Sequence, residues 1–491
     1  MPTLRVTKGN KIWDIEFEGN PKLQAVLAEE GFVLPLPCGG TGRCGKCTVE
    51  IDGNLSTPTS AELRHGKRLS CQITLHGDAD VRLPDESPIE QIQTEGFGTQ
   101  LQGPPMEGRY GGAVDIGTTT LALKLYDLQK GILLTSSALQ NPQTAIAADV
   151  MGRIQASIQG KGPMLQCQVV EAVDHMLKDA CAKSNIRQSE VDTLVVAGNT
   201  TMLYLLTGHA PHSLAYAPFR ADYLFDTYIR LIEHQAYLPP CINAFVGADI
   251  ACAVLVSEMC ERPETSLLVD MGTNGEIALW KGGRLYVSST AAGPAFEGVG
   301  IEMGCGSVQG AIDRVWLEED ILRVHTISDT PAIGICGSGL IDAVACLLEN
   351  EQVDETGASA CEKHYLTKHV YLTAMDIRNI QLAKAAIAAG IRTLMRVAEI
   401  EPCDIKRFYI AGGFGSHLNV QSAARIGLVH EVWLDKTTVL GNAALAGASA
   451  ILLHQNGVQK VQRIAGIASH VELGGNPDFN TAFIDEMSFP S

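Results

Sequence analysis

The sequence predicts an α/β protein built from two unequal modules: a small one over residues 1–84, and a larger, internally duplicated one over 110–491, joined by a linker at 85–109. Three observations carry this. Four cysteines, Cys38, Cys44, Cys47 and Cys71, gather among short strand-like segments near the N-terminus. Residues 84–112 show no sustained periodicity. One strand-turn-strand pattern, Asp-x-Gly-Thr, occurs at Asp115 and returns 155 residues later at Asp270. With 491 residues, 46% of them hydrophobic and 19% charged, the chain has enough apolar material for several cores, so disorder is not the default.

Charge and termini narrow the class. The first 84 residues balance ten Lys/Arg against ten Asp/Glu, so the net charge of −18 belongs to the remainder, which argues against nucleic acid as a partner. Met1 to Phe17 mixes charged with apolar residues and builds no signal-peptide core. No run of about 18 apolar residues supports a spanning helix, so a cytoplasmic protein without a membrane partner is expected. In a reducing compartment the 14 cysteines point to metal ligation or burial rather than disulfides.

In the small module, Thr3 to Thr7 and Lys11 to Phe17 flank a Lys8-Gly9-Asn10 turn as a hairpin. Leu23, Val26 and Leu27 mark one face of a short helix. Strand-like Cys47 to Ile51, Leu69 to Ile73 and Val81 to Leu83 complete a β-grasp-like sheet. Cys38, Cys44 and Cys47 follow a Cys-x5-Cys-x2-Cys pattern in a loop containing Gly39, Gly40, Gly42 and Gly45, with Cys71 as a distant fourth. Thiolates are soft ligands for iron, and glycines let backbone amides approach their sulfurs. The pattern resembles the [2Fe-2S] ferredoxins, with spacing nearer the adrenodoxin-like branch than the plant type. Structural zinc is the alternative, although zinc ribbons favour two paired Cys-x2-Cys knuckles. The other ten cysteines lack ligand spacing and read as core residues.

The linker is rich in Gly, Pro, Gln and Glu and reads as a flexible tether. Beyond it, Val114 to Thr120 runs strand into turn through Asp115, Gly117, Thr118, Thr119 and Thr120. Val269 to Gly275 repeats the frame with Asp270, Gly272, Thr273, Asn274 and Gly275, then enters a strand, Glu276 to Trp280. Such glycines expose amides to phosphate oxygens, threonine hydroxyls donate further bonds, and the aspartates can hold Mg²⁺ through water. Two matching frames suggest two facing halves, about 110–265 and 266–491.

A third element is the strand Phe408-Tyr409-Ile410 running into Gly412, Gly413, Phe414 and Gly415, suited to a base and ribose. It follows a helix that starts at Thr373-x-x-Asp376 in a capping-box pattern. Gly337, Ser338 and Gly339 open another helix whose amides could bind an anion. Gly441 to Ala448 is a small-residue stretch suited to close helix packing at a hinge.

The two Asp-Gly-Thr loops and the Gly-Gly loop, in this order, resemble the actin/Hsp70/sugar-kinase superfamily, whose halves are RNase H-like. Ferredoxin loop, tether and nucleotide fold together, with Ala292 to Gly298 and Gly334 to Asp342, resemble the reductive activators of corrinoid enzymes. That resemblance implies ATP/ADP, Mg²⁺ and a [2Fe-2S] cluster as cofactors, a corrinoid protein and a low-potential electron donor as partners, and a homodimer. The implied activity is ATP-dependent transfer of one electron to cob(II)alamin, restoring cob(I)alamin. Better-known members are longer, with a further small domain before the nucleotide fold. Rival readings are an activator of another low-potential enzyme, such as a 2-hydroxyacyl-CoA dehydratase, a redox sensor, and a small-metabolite kinase with Asp270 or Glu276 as base.

Overall fold

A computed structural model describes residues 1–9, 11–30, 32, 34, 42, 45, 47–84, 104–413 and 418–490. Cys38, Cys44, Phe414, Gly415 and linker positions 85–103 lie outside the described residues.

In the small module Thr3–Lys8 pairs antiparallel with Lys11–Glu16 and parallel with Leu75–Arg82, which in turn pairs antiparallel with Thr48–Leu55. The parallel first-to-last pairing needs a crossover, and the helix Leu23–Glu29 provides it, burying Leu23, Val26 and Leu27 against Leu4, Val6, Ile73 and Val81. This is the expected β-grasp sheet. One strand differs: pairing near Leu69 is confined to Arg68–Leu69, because the backbone turns as Gln72 N–H and Ile73 N–H both donate to Leu69 O. The turn carries Cys71 back over Cys47, which an extended strand would not do.

The tether also ends earlier than its composition implies. Residues 104–109, read as its flexible tail, are fixed: Met106 is buried and donates its N–H to Leu452 O, Gln455 N–H donates to Pro104 O, and Arg109 N–H donates to the Asp192 carboxylate. Polar composition alone does not reveal contacts made to chain more than 300 residues away.

The large module holds two six-stranded sheets that share a five-strand topology. In the first half the antiparallel run Tyr110–Ile116, Thr120–Asp127, Ile132–Gln140 is extended on the other side of Tyr110–Ile116 by parallel Val191–Gly198 and then His234–Leu238. In the second, Ser266–Met271, Gly275–Lys281 and Arg284–Thr290 are extended by parallel Arg407–Ala411 and Thr437–Gly441. Five strands correspond in order and direction, so the aspartate near the end of the first strand of each half takes an equivalent place. The sixth differs, Thr227–Leu231 beside His234–Leu238 in the first sheet and Ala468–His470 beside Arg284–Thr290 in the second.

Between the sheets lie two helices, Ala248–Ser257 and Ala443–Leu453, apolar on nearly all sides and sharing one core with Ala113, Ala122 and Val195 of the first sheet and Leu268, Ala278 and Tyr409 of the second. Gly447 faces the backbone of the opposite helix so closely that a Cβ there would stand 2.3 Å from Cys252 O. The expected small-residue packing is therefore present, and it sits on the axis between the halves. The long helix Ala374–Val397 starts at the expected capping box, with Thr373 Oγ1 accepting from Asp376 N–H and the Asp376 carboxylate accepting from Thr373 N–H.

Candidate nucleotide cleft and cluster site

Both turns are closed by the N–H of their first glycine, over three residues in one and two in the other. Gly117 N–H donates to Thr120 O at 2.9 Å and Gly272 N–H to Asn274 O at 3.1 Å, and at Gly117 a Cβ would meet Thr120 O at 2.7 Å, so the first turn requires glycine. The first turn is gripped from outside. Asn141 Nδ2 donates to Gly117 O, Asn199 Nδ2 to Thr118 Oγ1, and the fully buried Arg153 donates through Nη2 to Thr118 O at 2.5 Å while its Nη1 reaches Gln143 Oε1. Thr118, Thr119 and Thr120 thus stand on a backbone held by two side chains, with a third on the Thr118 hydroxyl.

Asp115 and Asp270 end their strands side by side with two more carboxylates, Asp249 and Glu276. Asp115 is pushed up to about 7, chiefly by burial and further by the charge of Asp249, while a hydrogen bond from Asn442 Nδ2 opposes the rise. Asp270 is also pushed up to about 7, by burial and then by Asp249 and Asp115. Asp249 rises to about 6 by burial, and Glu276 lies well above the usual range through burial and the charges of Asp249 and Asp270. Four acids crowded into one cleft repel one another, and a divalent cation would relieve that repulsion.

Glu297, from the Ala292–Gly298 stretch, joins the two turns. Thr119 Oγ1 donates to Glu297 Oε2 at 2.9 Å and Thr273 Oγ1 donates to Glu297 Oε1 at 2.8 Å. The Gly-Gly loop stands beside them: Gly412 has φ +101°, its N–H donates to Gly441 O, and a Cβ there would meet Asp270 Oδ1 at 2.8 Å. Gly413 is exposed, with open space where a side chain would be.

Gly337, Ser338 and Gly339 do open the helix Gly337–Glu349, where they also pack closely against the strand Ala311–Glu318. Ser338 is buried with its hydroxyl donated to Asp313 O, and a Cβ on Gly339 would fall 2.3 Å from Ile312 O. The Ser338 hydroxyl is thus taken by the neighbouring strand, whereas the anion site expected from sequence concerns the backbone amides.

Of the four cysteines predicted to hold a metal centre, the two described ones meet: Cys47 and Cys71 sulfurs lie 3.3 Å apart, both buried. Tetrahedral metal–thiolate bonds of about 2.3 Å suit sulfurs at roughly this separation. The Cys71 thiol and burial together hold the Cys47 thiol far above its ordinary value, an unfavourable proximity that a cation would reverse. Gly42 and Gly45 both have positive φ, and a Cβ on Gly45 would strike the His65 ring at 2.9 Å. These features fit an iron–sulfur loop. Among the described residues no set of three or more His, Cys, Asp or Glu could hold a metal ion, as half of the predicted ligand set lies outside them.

Sequence reasoning missed Asp249, Asn199, Asn141 and Arg153. Asp249 had a signal, a lone acid opening an otherwise apolar helix; Arg153 had none.

Fold and site define a class: a ferredoxin module carried by a duplicated ATP-binding domain of the actin and sugar-kinase type. Comparison agrees, with residues 11–76 matching the 2Fe-2S iron-sulfur cluster binding domain, 110–262 the RACo middle region and 264–491 the C-terminal ASKHA domain of RACo. The corrinoid activation enzyme RamQ of Eubacterium limosum is 32% identical over 587 aligned positions, covering 96% of this chain and 98% of that protein. The [Co(II) methylated amine-specific corrinoid protein] reductase of Methanosarcina barkeri is 27% identical over 424 positions, covering 77% of each. A solved reductive activator for corrinoid, iron-sulfur protein superposes with a TM-score of 0.72 at 25% identity, over 100% of this chain and 98% of that one. The chain belongs to the family of reductive activators of corrinoid proteins. It carries that family's [2Fe-2S] and nucleotide-binding domains. The 587-position alignment exceeds the chain's 491 residues, so the relative has stretches absent here, in keeping with the expected shortness; the family's middle region is nevertheless present, as the first half of the duplicated fold.

Proposed function

We propose that this protein spends ATP to move one electron from a [2Fe-2S] cluster held by Cys38, Cys44, Cys47 and Cys71 onto the cob(II)alamin of a corrinoid protein, restoring cob(I)alamin. One observation carries the reading: a thiolate pair poised for metal and a duplicated phosphate cleft lie on one chain that matches a corrinoid activation enzyme from end to end. When bound, the cluster supplies a one-electron carrier. The chain's residues do the rest. Thr118, Thr119 and Thr273 offer hydroxyls to the phosphates, Gly412 and Gly413 leave room for the nucleoside, and Asp115, Asp249, Asp270 and Glu276 would hold Mg²⁺ through water.

The need for ATP follows from energetics. An uphill transfer of roughly 200 mV costs about 5 kcal/mol for one electron, more than a ferredoxin alone supplies. Closing of the halves on the helices Ala248–Ser257 and Ala443–Leu453 gives the protein two states, and a partner that binds them unequally is driven between them. We further infer a low-potential electron donor, a homodimer and a cytoplasmic setting; no described helix is long and apolar enough to cross a membrane.

The test is anaerobic reduction of a candidate corrinoid protein with and without ATP, followed by the visible spectrum of the cobalt. Cob(I)alamin forming only with ATP is expected. Equal reduction without nucleotide would refute the coupling.

A further inference from the structure

The carboxylate of Glu297 stands where a terminal phosphoryl group must go. Thr119 and Thr273 each have a single hydroxyl proton, and both give it to Glu297, at 2.9 and 2.8 Å, one to each carboxylate oxygen. Two anions cannot share these donors, so a triphosphate entering the turns displaces the carboxylate without removing it from the cleft. The backbone around it is fixed: Gly293 and Gly298 hold positive φ of 77° and 76°, and a Cβ on Gly298 would lie 2.5 Å from Cys305 O. Only side-chain rotation is left, so the displaced carboxylate stays beside the phosphate it yields to.

Three of the other four cleft acids are engaged elsewhere: Asp115 accepts from Asn442, Asp249 from Ile250 N–H in its own helical turn, and Glu276 from Ser289 Oγ at 3.4 Å. The fourth, Asp270, faces the Gly-Gly loop, its Oδ1 2.8 Å from where a Cβ on Gly412 would stand. Among the described residues Glu297 is the carboxylate that bonds the threonines of both turns.

We propose that Glu297 is the general base of ATP hydrolysis, released from Thr119 and Thr273 by the γ-phosphoryl oxygens and accepting the proton of the attacking water. The water oxygen bonds to the γ-phosphorus as the bond from that phosphorus to the β,γ-bridging oxygen breaks, its electron pair leaving with ADP. The proton rests on Glu297 and passes to inorganic phosphate or solvent; nothing is oxidised or reduced. Burial already raises the affinity of this carboxylate for a proton, against the two threonine bonds, which suits a base working near neutrality. The proposal rests on the reading of the cleft as an ATPase.

The experiment measures phosphate release from MgATP and titration with a non-hydrolysable MgATP analogue on the full chain and on Glu297→Gln and Glu297→Asp, across pH. Glu297→Gln is expected to bind the analogue within about threefold of wild type or more tightly, as a competing charge is gone. Its turnover at saturation should fall by about 10²-fold or more and lose the acid limb of the pH profile. Glu297→Asp, which keeps the base but shortens it, should fall between. Turnover of Glu297→Gln within threefold of wild type, or weaker analogue binding with unchanged turnover, would show a structural clamp and overturn the proposal. Wild type that binds the analogue but hydrolyses no ATP would overturn both this role and the ATPase reading. Thermal midpoints exclude misfolding, and the aspartate variant decides should the glutamine variant fail to fold.

Discussion

Residue by residue, the cleft is an electrostatic liability held in check by its fold. Asp115 and Asp270 titrate at about 7 in the folded chain, against roughly 4 for an aspartate in water. The folded state therefore binds more protons than the unfolded one between these values, and this contribution to stability, full at low pH, is lost as pH rises through about 7. Asp115→Asn is expected to flatten the fall in Tm of the nucleotide-free protein between pH 5 and pH 8, measured by differential scanning calorimetry; an identical slope would remove these acids as its source. Adding Mg²⁺ to wild type at pH 8 should recover part of the lost Tm, and less of it in the variant. Asp115 and Asp270 were legible in sequence because each acts through the turn that follows it. Asn199 was not, since the threonine it bonds lies 81 residues away, and Glu297 stood in a recognised stretch whose role the sequence did not give, since it joins threonines 24 and 178 residues away. Local pattern cannot report a bond that only tertiary folding creates.

At the level of elements, the two central helices set how the halves can move. Gly447→Val would force side-chain atoms into the backbone of Cys252, and an overpacked contact of this kind costs about 1–3 kcal/mol. A lowered Tm together with weakened nucleotide binding is expected, and binding unchanged in a destabilised variant would separate this helix pair from cleft closure. The capping box at Thr373 acts on stability alone: Thr373→Ala should cost about 1 kcal/mol in chemical denaturation and leave nucleotide titration within twofold. Helix starts, the paired hairpins and the strand before the Gly-Gly loop were readable because their signals are local and periodic. The hairpin Ala311–Glu318 with Ile321–Thr326 was not, since a bulge between Ile312 and Arg314 shifts the alternation that marks a strand. Small residues in the Gly337–Gly339 stretch also admit a neighbouring backbone, and Ile312 O takes the space beside Gly339.

Across the whole molecule, the small module has its own core, separate from those of the two halves. Cys47→Ser is therefore expected to abolish the visible iron–sulfur spectrum and corrinoid reduction while leaving nucleotide affinity within twofold; loss of both would mean that the modules fold as one. The duplication was legible from two turns, whereas the way the modules touch was not, because among the described residues it includes a hydrogen bond between side chain and backbone 121 positions apart. In that contact Gln24 Nε2, on the helix of the ferredoxin module, donates to Ala145 O at 2.8 Å. Ala145 closes the short turn capped by Asn141, and Asn141 grips Gly117 O. The ferredoxin module thus leans on the same ledge that grips the first phosphate turn, and a nucleotide that shifted that ledge would tip the module like a lever on its fulcrum. Hydrogen exchange of Leu23–Glu29 should change when ATP binds, and should stop responding in Gln24→Ala.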